Sequence, residues 1–140
     1  RRGPETYQTY PADDASASQE GASLMGDLHS PLGKQLAQSR PADTNAVSVY
    51  SPAANVTTEI TNILVANNTA GAIAFRLFLD DDGTTYDEST ALYYDKSVGA
   101  NDTFEKTVSF WMANAAGNLA VRSATANALS FTIFGREYQT

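Results

Sequence analysis

From Ala46 to Tyr138 the chain is a succession of short runs rich in Val, Ile, Thr, Tyr and Phe, each closed by a cluster of Gly, Asn and Asp. Alternation of apolar and polar residues within a run is the period of a half-buried strand, and runs at this spacing belong to an all-β sandwich or barrel. Seven strands are predicted, roughly Ala46–Tyr50, Thr57–Ala66, Ala72–Leu79, Ala91–Tyr94, Thr103–Phe110, Leu119–Ser123 and Leu129–Tyr138.

The third run is the clearest. Ile73, Phe75, Leu77 and Leu79 share one face, and Ala72, Ala74, Arg76 and Phe78 the other, so the first set is expected in the core. Phe104, Val108 and Phe110 oppose Thr103, Glu105 and Thr107 in the fifth run, and Leu129, Phe131 and Ile133 oppose Ser130 and Thr132 in the last. Asn67–Gly71, Asp80–Thr85, Gly99–Asp102 and Asn114–Asn118 are rich in residues that tolerate tight or left-handed backbone, and are read as hairpin corners. The last run also carries Phe134 and Tyr138 on its second face, which therefore needs a cover supplied by the N-terminal segment or by another chain.

Residues 1–44 have a different character and are read as an extended N-terminal arm in front of a sandwich over 45–140. Arg1–Gly21 is dominated by Ala, Ser, Asp, Gln and Thr and shows no apolar period. Leu24, Leu28, Leu32 and Leu36 recur every fourth residue, but Gly26, Pro31 and Gly33 interrupt one continuous helix. Ser30-Pro31 has the form of an N-cap followed by proline at the first helical position, which predicts two helical turns over Pro31–Gln38 with Leu32 and Leu36 on one face. An arm of this composition is expected to be held in place only by a partner.

Charge and missing residue types exclude several functions. Nine Lys and Arg against 16 Asp and Glu give a net charge of −7, unsuited to a phosphate backbone, so no nucleic-acid partner is expected. Without cysteine there is no disulfide, thiolate chemistry or cysteine-ligated metal. No apolar run is long enough for a membrane span and no signal-peptide core is present, so a soluble protein made in a cytoplasm is expected, with no membrane partner.

The sole histidine, His29, falls in the arm, where a Ser-His-Asp triad would have its base on the least ordered segment. No phosphate loop, dinucleotide fingerprint or histidine metal motif occurs, so neither a cofactor nor an enzyme is expected. The acidic segment Asp80–Glu88 is read first as a turn, with Asp side chains accepting from nearby backbone N–H groups and Gly83 supplying positive φ. Asp80, Asp82 and Asp87 are the only candidates for a hard cation such as calcium, without the spacing of an EF-hand. Tyr86, Tyr93, Tyr94 and Trp111 are candidates for an aromatic platform; alternation places Tyr93 and Tyr94 on opposite faces, one in the core and one at an interface.

Tyr50-Ser51-Pro52, Asn55–Asn67, Phe75-Arg76-Leu77-Phe78, Asp80–Asp87, Ala91–Asp95, Asn118–Val121 and Ala128–Thr132 follow one another in an order that resembles small β-sandwich structural proteins of tailed phages, over about Ser39–Tyr138. The resemblance rests on turn and core signatures with no chemical role, and the arm lies outside it. It implies a jelly-roll-like antiparallel sandwich of seven or eight strands in a capsid decoration or cement protein, located on the virion surface and made in the host bacterial cytoplasm. The implied partners are the major capsid protein and sister subunits, in a homotrimer. The expected contacts are Leu24, Met25, Leu28, Leu32 and Leu36 of the arm with Phe134 and Tyr138 of the last strand. The alternative the same pattern leaves open is a tail or fibre component, either a tube or adaptor element or a glycan-binding recognition module.

Overall fold

The structure, a computed structural model, describes residues 32–140. They form eight strands: β1 (Lys34–Ser39), β2 (Val47–Tyr50), β3 (Val56–Asn67), β4 (Ile73–Asp80), β5 (Ala91–Val98), β6 (Thr103–Met112), β7 (Asn118–Ser123) and β8 (Leu129–Gln139). Two four-stranded sheets result, ordered β1-β8-β3-β6 and β2-β7-β4-β5, with every pairing antiparallel. This is the strand order of an eight-stranded jelly roll, in which successive strands pass back and forth between two facing sheets. Among the described residues no helix is long and apolar enough to cross a membrane.

Three expectations need correction. The first concerns Pro31–Gln38: Lys34–Ser39 is not helical but the edge strand beside β8, and the sandwich begins inside the segment assigned to the arm. A two-turn helix has little stability of its own, whereas β8 offers a row of backbone donors and acceptors for a strand to pair with. The second concerns the corners. Only the β4–β5 connection is a hairpin, because the other turns carry the chain from one sheet to the other. Turn residues permit a reversal of direction; they do not state which sheet the chain joins next.

Left-handed backbone among the described residues falls on Asn55, Asp95, Asn101 and Asn127, and on no glycine. The third correction is therefore Gly83, which does not have the positive φ expected of it. Asn and Asp tolerate this region because their short polar side chains bond locally.

The alternation read from the sequence sets the core. Phe75 lies against Tyr93, Phe104 and Phe131 with ring centroids 5.8, 5.3 and 5.9 Å away, joining β4 and β5 of one sheet to β6 and β8 of the other. Ile60, Ile63, Leu77, Leu119, Val121, Leu129 and Ile133 fill the remainder and are fully buried. Phe78, on the opposite face of β4, is buried as well, because the β4–β5 loop folds back and lays Tyr86 over it at 6.1 Å.

A line of irregular register crosses the first sheet. Pairing shifts between Gln35 and Ala37 on β1, and between Ile60 and Asn62 on β3 against both β8 and β6. Aligned bulges bend a sheet and raise its twist. Gly135 sits on this line, where an added Cβ would lie 2.2 Å from the Glu59 carbonyl oxygen and 2.6 Å from Leu36 Cδ1. Two polar anchors complete the interior. Asn67 is buried at the end of β3 and donates to the carbonyls of Gly71, Val98 and Gly99 while Thr69 donates back to it. Tyr50 reaches from β2 to Thr58 and Glu137 in the other sheet.

Candidate functional site

The acidic loop is a set of hydrogen-bonded turns. Asp80 accepts from the backbone N–H groups of Thr85 at 2.7 Å and Asp82 at 3.4 Å, and those bonds, Thr85 first, hold its carboxyl below the usual carboxylate range. Asp87 accepts from the hydroxyl and N–H of Ser89 at 2.6 and 2.8 Å, which lowers it likewise. Asp81 accepts from the N–H of Ala113, and Asn118 donates to Gly83, so the loop is tied to the neighbouring corner. The three candidate metal ligands are thus not brought together: among the described residues no three acidic or imidazole groups are placed to hold a metal ion.

The four aromatic candidates do not converge either. Tyr93 is packed against the core and Tyr94 is 42% exposed, the division that alternation predicted. Arg76 stacks over the Tyr94 ring at 3.7 Å and forms a fork to the Asp95 carboxylate at 2.7 and 3.0 Å, while the Tyr94 hydroxyl donates to Glu88. This network satisfies its own charges. Tyr86 is spent covering Phe78.

Trp111 has a different partner. On the outer face of the first sheet, register places Trp111 of β6, Glu59 of β3 and Arg136 of β8 side by side in one row, with Thr57 and Tyr138 paired in the next. The Trp111 and Tyr138 rings meet with centroids 5.7 Å apart and planes at 33°. Trp111 is 53% exposed. The Glu59 carboxylate accepts from Ser109 Oγ at 3.2 Å and pairs with Arg136 at 3.5 Å; its side chain is 15% exposed against 46% for Arg136.

No protein-family model matches the chain, and no curated protein matches it in sequence. Solved structures similar to it include infectious bursal disease virus Gx strain, at TM-score 0.44 and 12% identity over 78% of this chain and 32% of the other. The Gt strain of that virus gives TM-score 0.40 and 8% identity over 78% and 33%. The Tobacco streak virus coat protein dimer gives TM-score 0.37 and 7% identity over 80% and 89%. The chain thus spans about a third of the length of the two bursal disease virus chains. The assignment of this fold rests on the strand order and register described above.

Of the expected contact residues, Leu24, Met25 and Leu28 lie outside the described residues. Leu32 precedes β1 and is 87% exposed. Leu36 is half buried in the β1 bulge against the chain's own core, so it does not share a helical face with Leu32. Phe134 and Tyr138 are half buried on the outer face of β8. Sequence reasoning placed Trp111 and Tyr138 in different roles; it missed their contact, and Glu59 and Arg136 beside them. Parity of the runs puts all four on outward positions, but only register puts them in adjacent rows.

Proposed function

We propose that this chain is a virion structural protein that acts by binding and not by catalysis, as a decoration or cement subunit of a phage head. Its sandwich sits on the shell, and contacts from the N-terminal segment and the outer face of β8 join it to capsid protein and to sister copies in a trimer. The observation that carries this reading is the eight-strand, two-sheet order, an architecture used by viral capsid domains among others, reached here with Asp80 and Asp87 of the acidic loop spent on that loop's own turns. The resemblance over Ser39–Tyr138 supports it, and so does the net charge of −7, which suits docking onto a basic surface.

Mixing the purified chain with undecorated shells and sedimenting them tests the proposal. Saturable co-sedimentation is expected. Removal of residues 1–31 is expected to leave a folded sandwich with weakened shell binding, whereas a cut at residue 38 would also remove most of β1 and confuse loss of binding with loss of fold. A full chain that binds no shell, or labelling that finds it on the tail of an intact particle, overturns the decoration reading.

A further inference from the structure

We propose that the Trp111–Tyr138 shelf on the outer face of the first sheet is a binding site for a neutral pyranose sugar. A pyranose ring presents a patch of C–H groups on one face and hydroxyls around its edge. A site for it needs an exposed aromatic face, with polar groups beside it whose orientation is set before the ligand arrives. The row Trp111, Glu59, Arg136 supplies both. The rings offer apolar surface, Trp111 being 53% exposed. Glu59 is held from one side by Ser109 and from the other by Arg136, so an acceptor and a donor stand ready next to the shelf.

Charge selects among ligands. Glu59 and Arg136 offset each other within the site, and a chain with net charge −7 repels anions, so an uncharged hexose fits better than a phosphorylated or carboxylated one. Size selects against a second protein chain, which would need on the order of 800 Å2 per partner for a stable contact. The apolar part of this row is one pair of rings; of the positions paired along the face around it Thr57, Asn62 and Thr107 are polar, and Phe134, opposite Asn62, is half buried.

The shelf shares Tyr138 with the face of β8 assigned above to protein contacts, so shell binding and sugar binding are read in separate experiments, the sugar on the free chain. Trp111 is the only tryptophan in the chain, so intrinsic emission reports on the shelf directly. The full-length protein would be screened on an array of neutral and acidic glycans and then titrated with the neutral oligosaccharides it binds. A saturable change in Trp111 emission with protection from iodide quenching is expected. Tyr138→Ala and Glu59→Gln should each weaken binding roughly tenfold or more. Tyr94→Ala, on the other sheet, should leave it unchanged. The circular dichroism spectrum of each variant establishes that the sandwich is intact, and Tyr138→Phe, which keeps the ring, should retain binding. The proposal is overturned if no neutral glycan binds, or if binding survives loss of both rings in Trp111→Ala/Tyr138→Ala. It also falls if Trp111 emission changes with protein concentration alone, which would make the shelf a contact between copies.

Discussion

Tyr50, on β2 of one sheet, donates its phenolic hydrogen to Oε1 of Glu137, on β8 of the other, at 2.7 Å. Thr58 Oγ1 lies 2.7 Å from the same phenol, and Lys34 on β1 pairs with the Glu137 carboxylate. Four strands from both sheets therefore meet in one polar cluster. Tyr50→Phe removes a charge-assisted donor and leaves Glu137 without it, at a cost of about 1–3 kcal/mol. Urea denaturation should show a lower midpoint with an unchanged slope.

The same cluster has a pH signature on both sides of neutrality. The Lys34 and Tyr50 bonds, in that order, hold Glu137 below its ordinary value of 4.5. Its contribution is thus fully present above that value and is lost as acid takes the pH down through the depressed folded value. Burial pushes Tyr50 up from 10.0 to about 12, so its contribution is present below 10 and is lost as the pH climbs toward 12. Thermal melts of Glu137→Gln should show a flatter acid limb, and those of Tyr50→Phe a flatter alkaline one.

Gly135 is required by space and not by φ. A methyl group there meets the Glu59 carbonyl and Leu36 where the bulges cross the sheet, so Gly135→Ala should cost about 1–3 kcal/mol or more. Gly117→Ala meets the Asp81 backbone at 2.7 Å and should also destabilise. Gly71→Ala, with nothing within 4 Å and no positive φ, is the control and should fall within about 0.5 kcal/mol of the parent. Chemical denaturation of the three variants orders them.

Asn67 acts as a buried clasp between the β3–β4 and β5–β6 connections. Asn67→Ala would leave the Val98 and Gly99 carbonyls without this donor inside the protein, costing about 1–3 kcal/mol. Hydrogen exchange should accelerate first at Asn101 and Asp102, whose amides bond to Thr69 and Gly99 at that corner.

Alternation along the chain was enough to assign the class of fold and most of its core. Ile73, Phe75, Leu77 and Leu79 face inward because a strand must send every second side chain to one side, a rule that involves only near neighbours. The same rule separated Tyr93 from Tyr94, and the clusters at Asn67–Gly71, Asp80–Thr85, Gly99–Asp102 and Asn114–Asn118 fall at the connections between strands, although of the left-handed residues only Asn101 lies in one of them. Pairing lay beyond such reasoning. Lys34–Ser39 became a strand because β8 had a free edge, Phe78 was buried because a loop folded over it, and the corners carried the chain between sheets because the two inner faces had to meet. Trp111, Glu59, Arg136 and Tyr138 lie far apart in sequence, and each alone reads as an outward residue of a strand. Only the register of β6, β3 and β8, a property of backbone hydrogen bonds between distant segments, sets them side by side.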